Sequence, residues 1–464
     1  MPNTSADCDD ATRRCAGLRT FNRVGCLALI ALVLALPVIG YFEAVREAEA
    51  DLAALRKRLT AKGILVPVDQ LIPKVPKGER NAADLYGKAF ASLSITTQES
   101  QKLYDLPQSS PERRRLLLEV VVRNQPCYDL IGRASLLEHC ALPRNWADPY
   151  SAVTYPPGYT QMIAALCYRI EALEALGKPA AALDAVGVGF AVVGHFKAEP
   201  TVVAQLLAYI QQSRLVEALE GVLSRGSPTP SACRQLLREL DQIDNRAGYL
   251  RALKGEAVMF DVPVFEQLRT GDMSWRDLEG LGLPSGGTAG ALNLRALKTF
   301  GPLLYAKDEL HYLRFLDLYV TAMTAPYPEA RRRMIAAAEV FDRAPARETL
   351  ISRTLTSSDT DYTGGLLCDT RTALLRSAQV ALASVAFEAK QGRYPKSLAE
   401  LSADGWKLPR DPFGGGELRY RREKQGFVVW SLGPNMANDQ AVEYDSASMS
   451  LADGPYDIVF RVKR

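Results

Sequence analysis

A chain of 464 residues is long enough for roughly two to four folded units. Its 56 basic and 53 acidic residues leave a formal charge of +3, with 47% hydrophobic and 23% charged residues. Those values exclude a disordered chain, a collagen-like fibre and a many-helix membrane bundle, and so small a net charge gives no nucleic-acid footprint.

The first 23 residues carry Arg13, Arg14, Arg19 and Arg23. Val24 to Phe42 then reads VGCLALIALVLALPVIGYF, a run of 19 residues without a charge. As a helix it spans roughly 29 Å, the hydrocarbon thickness of a bilayer. A cleaved signal peptide would have a shorter apolar core followed by small residues, and Gly40-Tyr41-Phe42 does not fit that ending. The pattern predicts a single transmembrane helix over 24–42 in the cell (inner) membrane. The preceding arginines place residues 1–23 in the cytoplasm and the bulk of the chain outside it.

Residues 43–80 read as a stalk and linker. Phe42 to Lys62 has helix-forming composition, and Pro67, Pro73 and Pro76 then favour an extended chain. From 81 to 356 helical patterns alternate with breakers, which predicts an irregular α-helical hairpin domain. Asn81 opens one helix and Pro111-Glu112 another. Ile163, Leu166, Ile170 and Leu173 recur at three- and four-residue spacing before the turn Gly177-Lys178-Pro179. Thr229 is an expected N-cap with Pro230 at the first helical position. No 34-residue self-similarity marks a repeat solenoid. Gly280 to Gly290 is glycine-rich but lacks the Gly-Lys-Ser/Thr ending of a phosphate loop, so it reads as a connection. Residues 357–367 are expected to form a second linker loop.

Residues 368–464 have a different texture. Thr370 to Gln391 reads as an amphipathic helix, and β-runs follow at Glu417–Arg421, Gly426–Leu432 and Asp457–Val462. The fold class is therefore mainly α, with a small C-terminal α+β module. This module resembles the globular head of the major pseudopilin of type II secretion systems. The matching pieces are Gly392-Arg393-Tyr394-Pro395 after a long helix, Leu408-Pro409 with Asp411-Pro412-Phe413-Gly414, Tyr420, and Ser431-Leu432-Gly433-Pro434-Asn435. The likeness covers about 95 residues. It implies a calcium ion in the loop after the Ser-Leu-Gly strand, where Asn435, Asn438 and Asp439, with Asp453 and Asp457, would supply the oxygens a hard cation needs. Two positions that are acidic in the family read as asparagine here. In the family the apolar assembly helix directly precedes the head, whereas here the apolar run lies more than 300 residues upstream. The resemblance thus concerns the module and not polymerisation.

Eight cysteines are scattered without a Cys-x-x-Cys pair, so neither a zinc ribbon nor a disulfide framework is indicated. Cys127 and Cys140 flank a short helical segment and could bridge, or could be small buried thiols. The three histidines, His139, His195 and His311, show no metal-ligand spacing, and no nucleophile elbow or His-Glu-x-x-His helix is present. Asp359 and Asp361 form an Asp-x-Asp in what reads as a polar loop. No catalytic constellation stands out. The sequence favours an anchored extracytoplasmic interaction or scaffold protein with partners in the envelope, beside a secretion or assembly system, and no nucleic-acid partner. The alternatives are an envelope hydrolase whose acidic residues meet only in three dimensions, and a calcium-stabilised ligand-binding sensor.

Overall fold

The computed structural model describes residues 35–146, 158–272, 288–345, 348–349, 351–355, 358–445 and 454–464. The first described helix, α1, covers 35–61 and is unbroken because Tyr41 to Ala61 contains neither glycine nor proline. It is followed by α2 (Ala82–Ser92), α3 (Thr97–Asp105), α4 (Pro111–Arg123), α5 (Gln125–Ser135), α6 (Tyr159–Ala175), α7 (Pro179–Lys197) and α8 (Val202–Arg225). Then come α9 (Pro230–Asp241), α10 (Asn245–Glu256), α11 (Val262–Thr270), α12 (Thr288–Ala322) and α13 (Tyr327–Asp342). The chain closes with α14 (Ser358–Gln391), the short α15 (Leu398–Ala403) and the strands β1 (Arg419–Glu423), β2 (Gly426–Ser431) and β3 (Ile458–Lys463). The architecture is mainly helical with one small sheet at the C-terminus.

Local chemistry sets many of these boundaries. Asn81, Ser110, Thr201, Thr229 and Asp244 each accept a hydrogen bond from the first turn of the helix they precede. Thr96 and Glu99 form a reciprocal capping box. Gly177, at φ +67°, turns α6 into α7 as the breaker cluster predicts. The sheet is an antiparallel meander in the order β1-β2-β3, with Tyr420 opposite Val429 and Val429 opposite Phe460. Its strands sit one or two residues later at β1 and β3 than the sequence pattern suggests.

Two large apolar cores, beside three smaller clusters, hold the described residues together. The first gathers α2, α5 to α9, the middle of α14 and the inner face of the sheet, from Ala82 to Val462. The second gathers α1, α10 to α13 and the first turns of α14, from Ala48 to Cys368. Helices α8 and α14 run through both. On α8, Tyr209 belongs to the second core and Leu215 to the first; on α14, Cys368 belongs to the second and Leu375 to the first.

Three expectations about organisation change at this point. Residues 358–367, expected as a linker loop, begin α14, so the Asp-x-Asp of 359 and 361 lies in a helix. The helix expected to be amphipathic is buried on every side over 377–387, with α8, α9 and α10 packed along it and the sheet covering it too. A helix without a polar face is an interior helix. The segment expected as a stalk is also docked: Ala48, Leu52, Leu55 and Leu59 fall on one stripe of α1 and are buried in the second core. Each fully buried leucine contributes about 1.5–3 kcal/mol, enough to hold this helix down.

Glycine is required at two contacts. A Cβ on Gly255 would lie 1.9 Å from the carbonyl oxygen of Pro200, where α10 crosses the turn before α8. Gly426 has φ +113°, and a Cβ there would lie 1.9 Å from the carbonyl oxygen of Val462 across the sheet.

Candidate functional site

The resemblance points to the loop after β2, and the structure gathers most of the expected residues there. Asn435, Asn438, Asp439 and Asp457 surround one turn; Asp453 lies outside the described residues. The loop is tightly cross-braced. The Asn435 side-chain amide donates to Asp439 Oδ2 (2.8 Å) and to the Gly454 carbonyl (3.1 Å), while its oxygen accepts from Ala437 N–H (2.9 Å). Asn438 Oδ1 accepts from the Trp430 indole (3.0 Å) and from Gln440 N–H (3.3 Å). Asp457 accepts from Ala441 N–H (2.7 Å) and Asp439 N–H (3.3 Å), one at each carboxylate oxygen. Met436, Gln440 and Ala441 all adopt positive φ, a conformation side chains other than glycine rarely take. Burial pushes the Asp457 carboxyl up to about 6 against those two hydrogen bonds, and the neighbouring Asp439 and Asp411 charges add to the rise.

Among the described residues, this donor set does not form a calcium cage. A hard cation needs several oxygen lone pairs converging on one point. Here the oxygens of Asn435, Asn438 and Asp457 face N–H donors, and the Asn435 amide nitrogen points at Asp439. Among the described residues no three His, Cys, Asp or Glu side chains are placed to hold a metal ion. The arrangement is a loop clamp. Asp411, buried beside it, completes the clamp by accepting from Ser431 Oγ (2.6 Å), Leu432 N–H (3.0 Å) and Phe413 N–H (2.9 Å). Tyr327 of α13 donates to the Pro434 carbonyl (3.1 Å) and packs edge-on to Phe413. The loop is thereby fastened to the helical body.

A second polar cluster was not visible in the sequence. It lies where α7, α8, α10 and α14 meet, between the two apolar cores. Lys197 Nζ donates to the Asp244 carbonyl and to Asn245 Oδ1, both at 2.8 Å. Asn245 and Gln212 exchange two side-chain hydrogen bonds of 3.0 and 3.1 Å, and Gln205 donates to the Lys197 carbonyl (2.7 Å). Arg246 donates to Asp369 Oδ1 (2.7 Å), beside the fully buried Cys368. Burial lowers Lys197 to about 8 and raises the Cys368 thiol to about 12. A perturbed lysine beside a thiol is a pattern that active sites use. Here the thiol is held in its inert form, and the lysine is engaged by two oxygen acceptors, the Asp244 carbonyl and Asn245 Oδ1. Two small cavities among the described residues lie elsewhere. One, of about 210 Å³, is lined by Tyr128, Leu166, Arg169 and Asp184; the other, of about 220 Å³, by Glu174, Arg225 and Gly226. Both are smaller than ordinary ligand pockets. The cluster acts as a polar layer that sets the register of four helices.

The remaining singled-out residues have local partners. Cys127 and Cys140 are buried, free thiols and do not bridge. His195 is held between the Tyr86 hydroxyl (2.8 Å) and the Leu137 carbonyl (2.9 Å). His139 and His311 lie against Glu79 and Glu348. On α13, Arg332 and Arg333 pair with Glu329 on an exposed face.

The third cluster faces α1. Glu309 of α12 is fully buried and accepts from Arg56 Nε and Arg269 Nη2, both at 2.7 Å. Eight residues further on, Asp317 accepts from Lys62 Nζ (2.8 Å) and from Arg58 (3.4 Å). The signal in the sequence for this bracket is the acidic residues inside the run LLYAKDELHYLRFLDLYV, with a basic cluster at Arg56, Lys57 and Arg58. Comparison of the chain with protein-family models, curated proteins and solved structures finds no match.

Proposed function

We propose that the chain is a single-pass, membrane-anchored extracytoplasmic protein that works by interaction or scaffolding, beside an envelope secretion or assembly system. The observation that carries this reading is the first part of α1. Leu36, Val38, Ile39 and Phe42 are more than half exposed there, on the end of a helix whose later turns are docked. Bare apolar residues on a helix that continues an uncharged N-terminal run suit a lipid environment. The pseudopilin-like reading of the C-terminal module is supported by a long helix leading into an antiparallel meander. Its helix is enclosed by α8, α9 and α10, which favours a fixed module over an assembling one.

Fractionation tests the anchor. The full chain with tags at both ends is expected to stay with membranes through alkaline carbonate and to retain the N-terminal tag. A soluble product, or one lacking that tag, overturns it. Crosslinking in intact cells followed by detergent extraction is expected to recover one reproducible envelope partner, and recovery of none overturns the scaffold role.

A further inference from the structure

We infer that α1 is a rigid strut that seats the helical body directly on the bilayer surface, so that one end of the body is a lipid-headgroup-contacting face. This rests on the anchor reading and adds an orientation to it. Three observations carry it. First, α1 passes without a glycine or proline from the bare apolar turns ending at Phe42 to the docked stripe beginning at Ala48. Those six residues rise about 9 Å, and the headgroup layer on each side of the hydrocarbon is roughly 5–8 Å deep. Body contacts therefore begin where the headgroups end.

Second, the docking is braced by charge as well as by leucines. Arg56 reaches the buried Glu309, and Lys62 and Arg58 reach Asp317. Third, this pairing order shows that α1 and α12 run in the same direction, so the strut lies along the body and does not pivot at a single point. A flexible tether would let the body tumble tens of ångströms from the membrane. This helix does not.

The test uses the full chain in nanodiscs containing a lipid with a short photoreactive group on its headgroup. It compares wild type with a variant carrying a 20-residue Gly-Ser spacer between Phe42 and Glu43, which leaves the docked stripe intact. The spacer spans roughly 25 Å as a coil. Headgroup labelling of peptides beyond Ala48 is expected in wild type, and to drop about fivefold or more in the spacer variant. Equal labelling of the two, or wild-type labelling confined to residues before Ala48, overturns the strut. Vesicle flotation of the same samples separates the two ideas. Protein that fails to float overturns the anchor, whereas protein that floats without body labelling overturns only the seating.

Discussion

The two long segments at either end of the chain, α1 and α14, are fastened to the body in opposite ways. Helix α1 lies on the surface and docks through one leucine stripe and the charged bracket around Glu309 and Asp317. Helix α14 runs through the centre, buried on all sides from 377 to 387, with partners from both halves of the chain. A surface helix of this kind can come loose alone. A central helix cannot, because removing it deprives both cores of a wall. The final strand repeats the lesson on a smaller scale. The outer edge of β3 is closed by α8, where Glu220 accepts from Arg461 N–H (2.9 Å) and Ser224 from Lys463 N–H (3.1 Å). An otherwise open edge is thereby protected. The C-terminal module and the helical body are thus joined through core and edge alike.

The largest expected effect lies on α14. Leu382→Ala removes a fully buried side chain and is expected to lower unfolding free energy by about 3–5 kcal/mol. Denaturant unfolding followed by hydrogen exchange should show α7, α8 and the sheet losing protection together. Independent loss of the sheet alone would break the picture of α14 as a shared wall.

A smaller and more local effect is expected at α1. Glu309→Ala leaves Arg56 and Arg269 without their buried anion. Both arginines keep some water contact, so about 2–3 kcal/mol is expected, below the full loss for a completely buried pair. Amide exchange should quicken in 48–61 and hold steady in 377–387. Equal acceleration in both would mean that the two helices are not separately fastened.

The smallest effect is one of pH, in the clamp after β2. The Asp457 carboxyl is raised from its ordinary 3.8 to about 6, so the folded state holds its proton more tightly than the unfolded chain. The stability it contributes is fully present below pH about 4 and is lost as pH rises through 6. Asp457→Asn, which cannot ionise, should therefore differ from wild type by an amount that changes between pH 4 and 6 and is level above. Thermal melts across that range measure it. A difference independent of pH would show that the two amide hydrogen bonds hold the carboxylate ionised throughout.

Much of the helical layout was legible because it is local. The caps at Asn81 and Thr229, the helix opening at Pro111-Glu112, the turn at Gly177 and the continuous apolar run from Phe427 to Trp430 all act within a few residues. The stripe on α1 was legible as a helix but not as a docked one, since the same composition suits a stalk until Glu309 and Asp317 are placed opposite it. The candidate calcium residues were legible as a cluster of oxygens. Their direction was not, because the side-chain nitrogen of Asn435 and the amides of Asp439 and Ala441 turn those oxygens inward only once β3 brings Asp457 alongside.

From the sequence alone came a mainly helical chain with a small terminal sheet, an uncharged N-terminal run and no glycine or proline in α1 from Tyr41 onward. Those properties follow from short-range sterics, capping and hydropathy. The tertiary structure alone decided that residues 358–367, expected as a linker loop, are helix, that the stalk is docked, that α14 has no exposed face over three turns, and that Lys197, Gln212, Asn245 and Asp369 form one polar layer. These residues come from helices up to 172 positions apart in the chain. Whether a buried charge or amide is tolerated depends on the partner that packing delivers, and no local pattern encodes that partner.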